Sequence, residues 1–248
     1  MALKHRAQTI EAIINLKHKT MNKIFFLFFI ATAFFSCSKS GKDDNSLTET
    51  SVAKALFDNS NFGIYKGVFV GSSGIIIVDL NNTNTVSATL VVDGVTYNFT
   101  TAQTVQQGQP TTLNFTSGTN SFTFTVSANG ANPMITNLIV NGHPNAAILV
   151  VKETSTSLVK CFEGNYSGTE SGVFNAVIYT TQIKGLSKSS TNIIYTIDGT
   201  VSNNQINAGG VTSGGSLFVG TMSGNSISGT WSNTGAGASG NWTGARTY

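Results

Sequence analysis

Reactive and charged side chains are scarce in this chain of 248 residues, and each shortage excludes a class of protein. Two cysteines, Cys37 and Cys161, lie 124 positions apart, so neither a disulfide framework nor a Cys pair at zinc-ligand spacing is written here. Of three histidines only His143 stands beyond the first 36 residues, in Asn141-Gly142-His143-Pro144, a solvated turn by composition. Neither H-E-x-x-H nor a G-x-S-x-G elbow occurs. Three prolines, 26 glycines and 10% charged residues speak against long amphipathic helices and coiled coils. The formal charge of +3 is misleading, because residues 1–36 hold Lys4, Arg6, Lys17, Lys19 and Lys23 against Glu11, leaving nine bases and ten acids beyond. The body is nearly neutral, without the footprint of a nucleic-acid binder.

The longest apolar run, Ile24 to Phe35, has twelve residues, short of the ~20 that span a bilayer. It has the length of a signal-peptide core, with Lys23 in front of it. Ser36-Cys37 follows at once, then the polar stretch Ser38-Lys39-Ser40-Gly41-Lys42-Asp43-Asp44. This resembles the leader of a bacterial lipoprotein of the Bacteroidota type, in which a small residue precedes a Cys that is acylated and becomes the mature N-terminus. Phe34 and Phe35 depart from the commoner residues of that box. The resemblance implies lipidation at Cys37 and an outer-membrane anchor through N-terminal acyl chains; Lys42, Asp43 and Asp44 are similar to the export signal that sends such proteins to the cell surface. Met21-Asn22-Lys23 would open a compact leader, so residues 1–20 are expected to be an upstream-start artefact, residues 21–36 the signal peptide and residues 37–45 a disordered tether.

Ser46-Leu47-Thr48-Glu49 has capping-box spacing, and Val52, Ala53, Leu56 and Phe57 form one stripe, which predicts a short helix within residues 46–60. Beyond Gly63 the apolar period changes to two, as in Phe122, Phe124 and Val126. Asp93-Gly94, Ser117-Gly118, Asn129-Gly130, Asn141-Gly142, Asp198-Gly199 and Ser223-Gly224-Asn225 read as turns between strands. The fold class is all-β, an antiparallel meander. Gly63-Ile64-Tyr65-Lys66-Gly67 with Gly71 returns as Gly164-Asn165-Tyr166-Ser167-Gly168 with Gly172, at an offset of 101. Two similar halves of five or six strands follow, residues 61–160 and 161–248, either as separate small barrels or sandwiches or fused into one closed barrel.

The final forty residues hold eleven glycines and one charge, Arg246, with strands at Leu217 to Met222, Ser226 to Ser232 and Ser239 to Arg246. A hairpin centred between Ala236 and Gly237 would set Trp231 opposite Trp242, Gly229 opposite Gly244 and Ile227 opposite Arg246. Glycines beside a Trp pair leave room for indoles, and Arg246 is placed to stack on them. Small lipocalin-like barrels close one end with a similar Trp and Arg arrangement, and Gly229-Thr230-Trp231 looks like their G-x-W. Core packing or a barrel-end plug is one reading of Trp231, Trp242 and Arg246; a solvent-facing platform for a ligand such as a glycan is the other. Catalytic candidates reduce to Glu163 and Glu170, a conceivable glycosidase-like acid pair; Cys161, a lone thiol, reads as buried and inert rather than as a nucleophile. Expected, therefore, is a non-enzymatic, lipid-anchored envelope protein without metal or cofactor, binding a glycan or protein partner or serving as a structural module; the alternative is an extracytoplasmic glycan-acting hydrolase.

Overall fold

The computed structural model describes residues 47–210 and 215–248; Cys37, Lys42, Asp43, Asp44 and the leader lie outside them. The described residues are all-β, with sixteen strands forming two eight-stranded antiparallel sheets rather than the five or six strands per half expected. The first comprises β1 (Gly63–Val70), β2 (Gly74–Leu80), β3 (Val86–Val92), β4 (Val95–Thr100), β5 (Thr111–Ser117), β6 (Asn120–Val126), β7 (Met134–Ile139) and β8 (Ala147–Glu153). The second comprises β9 (Lys160–Gly168), β10 (Gly172–Tyr179), β11 (Gln182–Ser189), β12 (Ile194–Ser202), β13 (Gln205–Gly210), β14 (Ser216–Ser223), β15 (Ser226–Asn233) and β16 (Ala238–Arg246). In both, consecutive strands pair and the last returns to the first, β8 to β1 and β16 to β9. The second sheet thereby closes into a barrel, while the first leaves β7 and β8 unpaired to each other and is joined between β4 and β5 by one pair, Thr100 with Thr116.

The likeness of the two sheets runs through a different register from the one the sequence suggested. Gly67 and Gly164, both on inward positions, sit where an added Cβ would collide with a carbonyl of the last strand, Leu149 or Thr243. Gly71 and Gly168 share the same positive φ of 133°. Both pairs are 97 residues apart, and the same offset matches the inward aromatics Tyr65 with Phe162 and Phe69 with Tyr166. The offset of 101 kept strand parity, so it aligned inward aromatics with each other, but it slipped four residues along the strand.

Strand β1 is buried along its whole length, because its outer face is covered too. Val68, Ile75 and Val151 on the outside of the first sheet pack with Cys161 and Val177 on the outside of the barrel and with Val159 from the connection. Burial on both faces removes the alternation of a half-exposed strand. Asn175 bridges the same seam, donating to the carbonyls of Phe69 at 2.6 Å and Ser72 at 3.3 Å. Between the sheets Lys66 Nζ lies 2.5 Å from Glu153 Oε2 and 4.8 Å from the centre of the Tyr248 ring, with both charged side chains at 1% exposure or less.

The expected helix is absent. A single 3-10 turn, Ala55–Phe57, replaces it, and the would-be stripe residues Val52 and Leu56 are 50% and 75% exposed. The backbone is spent elsewhere: Val52 N–H donates to Glu153 Oε1 at 3.0 Å and Lys54 N–H to Asn82 Oδ1 at 2.9 Å, which draws the segment into an extended strap. Asp198-Gly199 is also no turn. It lies inside β12, with Asp198 outside and paired to Lys184 across the strand at 2.8 Å.

Candidate functional site

At one end of the closed barrel β9, β11, β13 and β15 finish and β10, β12, β14 and β16 begin, and inward side chains from several strands converge there. Tyr166 of β9, Tyr195 of β12, Phe218 of β14 and Trp231 of β15 form aromatic walls around a cavity of about 320 Å³. Ser187, Asn233 and Ala238 complete the sides, and Thr169 and Glu170 come from the β9–β10 turn. That volume is at the lower end of the range of small-molecule sites. Tyr166 and Trp231 meet at 5.8 Å and 89°, two perpendicular faces of one corner. The indole N–H of Trp231 is already used, donating to the Ser167 carbonyl at 2.9 Å.

The Tyr166 hydroxyl, by contrast, is buried without a hydrogen-bond partner among the described residues. Burial pushes its pKa up to about 12, assisted by the nearby charge of Glu170 and by Tyr195. Tyr195 is raised in the same direction by burial and again by Glu170. One carboxylate thus acts on two phenols at the rim.

Below the mouth, Trp242 lies against Phe174 at 5.3 Å and gives its N–H to the Thr230 carbonyl at 3.1 Å. The register of the last hairpin corrects the expectation: Trp231 stands opposite Gly240 and Trp242 opposite Gly229, with Gly244 opposite Ile227. The turn is centred one residue earlier because Asn233 caps it, its Oδ1 accepting the Ala236 N–H at 3.1 Å, and Gly237 takes a φ of 62°. The glycines do serve the indoles: a Cβ at Gly220 or Gly229 would strike the Trp242 ring, and one at Gly240 the Trp231 nitrogen. With Trp231 at 6% and Trp242 at 1% exposure, the pair is barrel core and not a solvent-facing strip.

Arg246 is far from the mouth. At the opposite end its buried guanidinium donates to the Tyr248 carbonyl at 3.0 Å, to Glu49 Oε1 at 2.5 Å and to the Thr48 carbonyl. This arginine holds Glu49 below the usual carboxylate range, with Lys160 adding to the effect. Residues Thr48 and Glu49 therefore meet the barrel at the end away from the cavity.

The carboxylates Glu163 and Glu170 are not brought together. Glu163 faces outward on β9, accepting from the Thr247 hydroxyl at 3.2 Å, and burial raises its pKa. From Glu163 to Gly168 the strand alone spans roughly 16 Å, beyond the ~5 to 9.5 Å that separates a glycosidase acid pair. Cys161 is buried, its thiol over the Gly67 carbonyl at 3.7 Å and pushed up to about 12 by burial, which disfavours the nucleophilic thiolate. His143 is less solvated than its turn suggested: the ring packs edge-on to Phe69 at 5.4 Å and lies 3.8 Å from Asp93. Ser72 donates to the same Asp93, so the carboxylate sits between serine and histidine, the wrong order for a triad in which histidine must receive the serine proton. Among the described residues no group of three His, Cys, Asp or Glu is placed to hold a metal, and no helix is long and apolar enough to cross a membrane.

Protein-family models, curated proteins and solved structures gave no match to this chain. The reading of the mouth therefore rests on its own geometry. Sequence reasoning found Trp231 but missed Tyr166, Tyr195 and Phe218 as its companions, because only barrel closure places the ends of β9, β12 and β14 around one opening.

Proposed function

We propose that this protein is a lipid-anchored envelope protein that binds a small ligand in the mouth of its second barrel. The observation that carries the reading is the cavity of about 320 Å³ walled by Tyr166, Tyr195, Phe218 and Trp231. The leader motif around Ser36-Cys37 supports the anchor, and Lys42-Asp43-Asp44 supports a cell-surface location. The contact of Thr48 and Glu49 with Arg246 adds a consistent detail, since the chain meets the barrel opposite the mouth and the opening faces away from that attachment. Burial of Trp231 and Trp242 does not favour a glycan platform, and the separation of Glu163 from Glu170 does not favour glycoside hydrolysis.

Two experiments test the halves of this reading. Metabolic labelling with a palmitate analogue should mark the native chain and not Cys37→Ala; equal labelling of both removes the anchor. For the mouth, a ligand screen read by thermal shift should return compounds whose effect disappears in Ala238→Leu, which fills the opening. Hits that shift both proteins equally would place the binding elsewhere and sink the assignment.

A further inference from the structure

The chemistry of the lining narrows the ligand class, an inference that rests on the mouth being a ligand site. Among the described residues, Glu170 is the one carboxylic acid of the lining, and no lysine, arginine or histidine joins it. Lys188, the nearest base along β11, follows the inward Ser187 and so projects from the outer face. An anionic ligand would meet unopposed negative charge. A cation would meet attraction from two sources, the carboxylate and the electron-rich ring faces, and perpendicular aromatic walls around a carboxylate are the arrangement that holds ammonium groups. The Tyr166–Trp231 corner, with Tyr195 and Phe218 beside it, has that arrangement.

Hydrogen bonding agrees. Glu170 at the rim offers carboxylate oxygens to ammonium N–H groups. The Trp231 N–H is not offered to a ligand, since it is committed to Ser167. At ~30 Å³ for a water-sized group, the cavity holds about ten such groups. We propose that the mouth of the second barrel binds a small arylalkyl- or alkylammonium ion, its N–H groups toward Glu170 and its apolar part against Tyr166, Trp231 and Phe218.

The test is calorimetric titration of the native protein with 2-phenylethylammonium, its neutral isostere 2-phenylethanol, the anion 3-phenylpropanoate and N-acetylglucosamine. The ammonium should bind more tightly than the alcohol by about tenfold and the anion most weakly. Glu170→Gln, at an exposed turn where folding is safe, should erase the preference of ammonium over alcohol. Ala238→Leu should abolish binding of every probe. If the alcohol or the sugar binds as tightly as the ammonium, or Glu170→Gln leaves the preference intact, the cation assignment falls while a mouth closed by Ala238→Leu keeps the ligand-site reading. If no probe binds at millimolar concentration, or binding survives Ala238→Leu, both readings fall.

Discussion

The pair Lys66–Glu153 offers the sharpest test of how the two sheets are held together. Both side chains are out of water, and they are unequally provided for. Glu153 accepts from Ser51 Oγ, Val52 N–H and Val159 N–H, each at 3.0 Å, besides touching Lys66. Lys66 has one carboxylate oxygen and the Tyr248 ring. Replacing Glu153 by Gln leaves a buried ammonium without a counter-charge and turns an amide NH2 onto groups that are themselves donors, and breaking a buried pair in this way costs about 3 to 5 kcal/mol. Replacing Lys66 by Met leaves a carboxylate that keeps three donors, so the loss should be smaller, about 1 to 3 kcal/mol. In the double variant the stranded charge is gone, and its cost should stay below the sum of the singles by more than ~0.5 kcal/mol, the scatter expected of independent sites. Urea unfolding of the four proteins, with a common slope checked first, measures the cycle. Additive losses, or a Lys66→Met variant less stable than Glu153→Gln, would refute the assignment of Glu153 as the hub joining strap, sheet and connection.

Other outcomes follow from the same geometry. Trp242→Ala should cost about 3 to 5 kcal/mol of folding stability by chemical denaturation, and Gly229→Ala should also destabilise because its Cβ meets both the Val219 carbonyl and the Trp242 ring. Tyr166→Phe in the free protein should match or exceed native thermal stability, since the hydroxyl it removes has no partner. The Cys161 thiol rises from 9.0 to about 12 in the folded state, so the folded chain holds a proton that the unfolded chain releases. Stability from this group is complete below pH 9 and falls as pH climbs toward 12, by about 1.4 kcal/mol per unit, and Cys161→Ala should flatten the measured stability–pH slope by that amount. Arg246→Met should free the strap, seen as faster hydrogen exchange at residues 47–50 with the barrel amides unchanged; unchanged exchange at those residues would show that Glu49 and Thr48 are held by other contacts.

How far the sequence speaks for itself can be judged strand by strand. Alternation and turn chemistry are local, and they located the last three strands to within a residue, since Ser223-Gly224-Asn225 and the loop after Asn233 lie between runs of clear period two. Locality also explains the errors. Asp198-Gly199 has the composition of a hairpin turn, yet a close-packed position against Ala208 asks for the same glycine inside a strand. The capping box at residues 46–49 names a helix start, but Glu153, a hundred residues on, claims the Ser51 and Val52 donors for itself. Composition and period two were enough for the all-β class, because inward and outward residues differ wherever one face meets water, and the recurrence of Gly-x-Tyr-x-Gly was enough for two similar halves even at an offset four residues away from the structural one. What covers an outer face, which strand closes a sheet and which distant ends share an opening are set by contacts between residues far apart in the chain. For that reason the burial of β1, the closure of the second barrel and the meeting of Tyr166, Glu170, Tyr195 and Trp231 at one mouth were decided only in three dimensions.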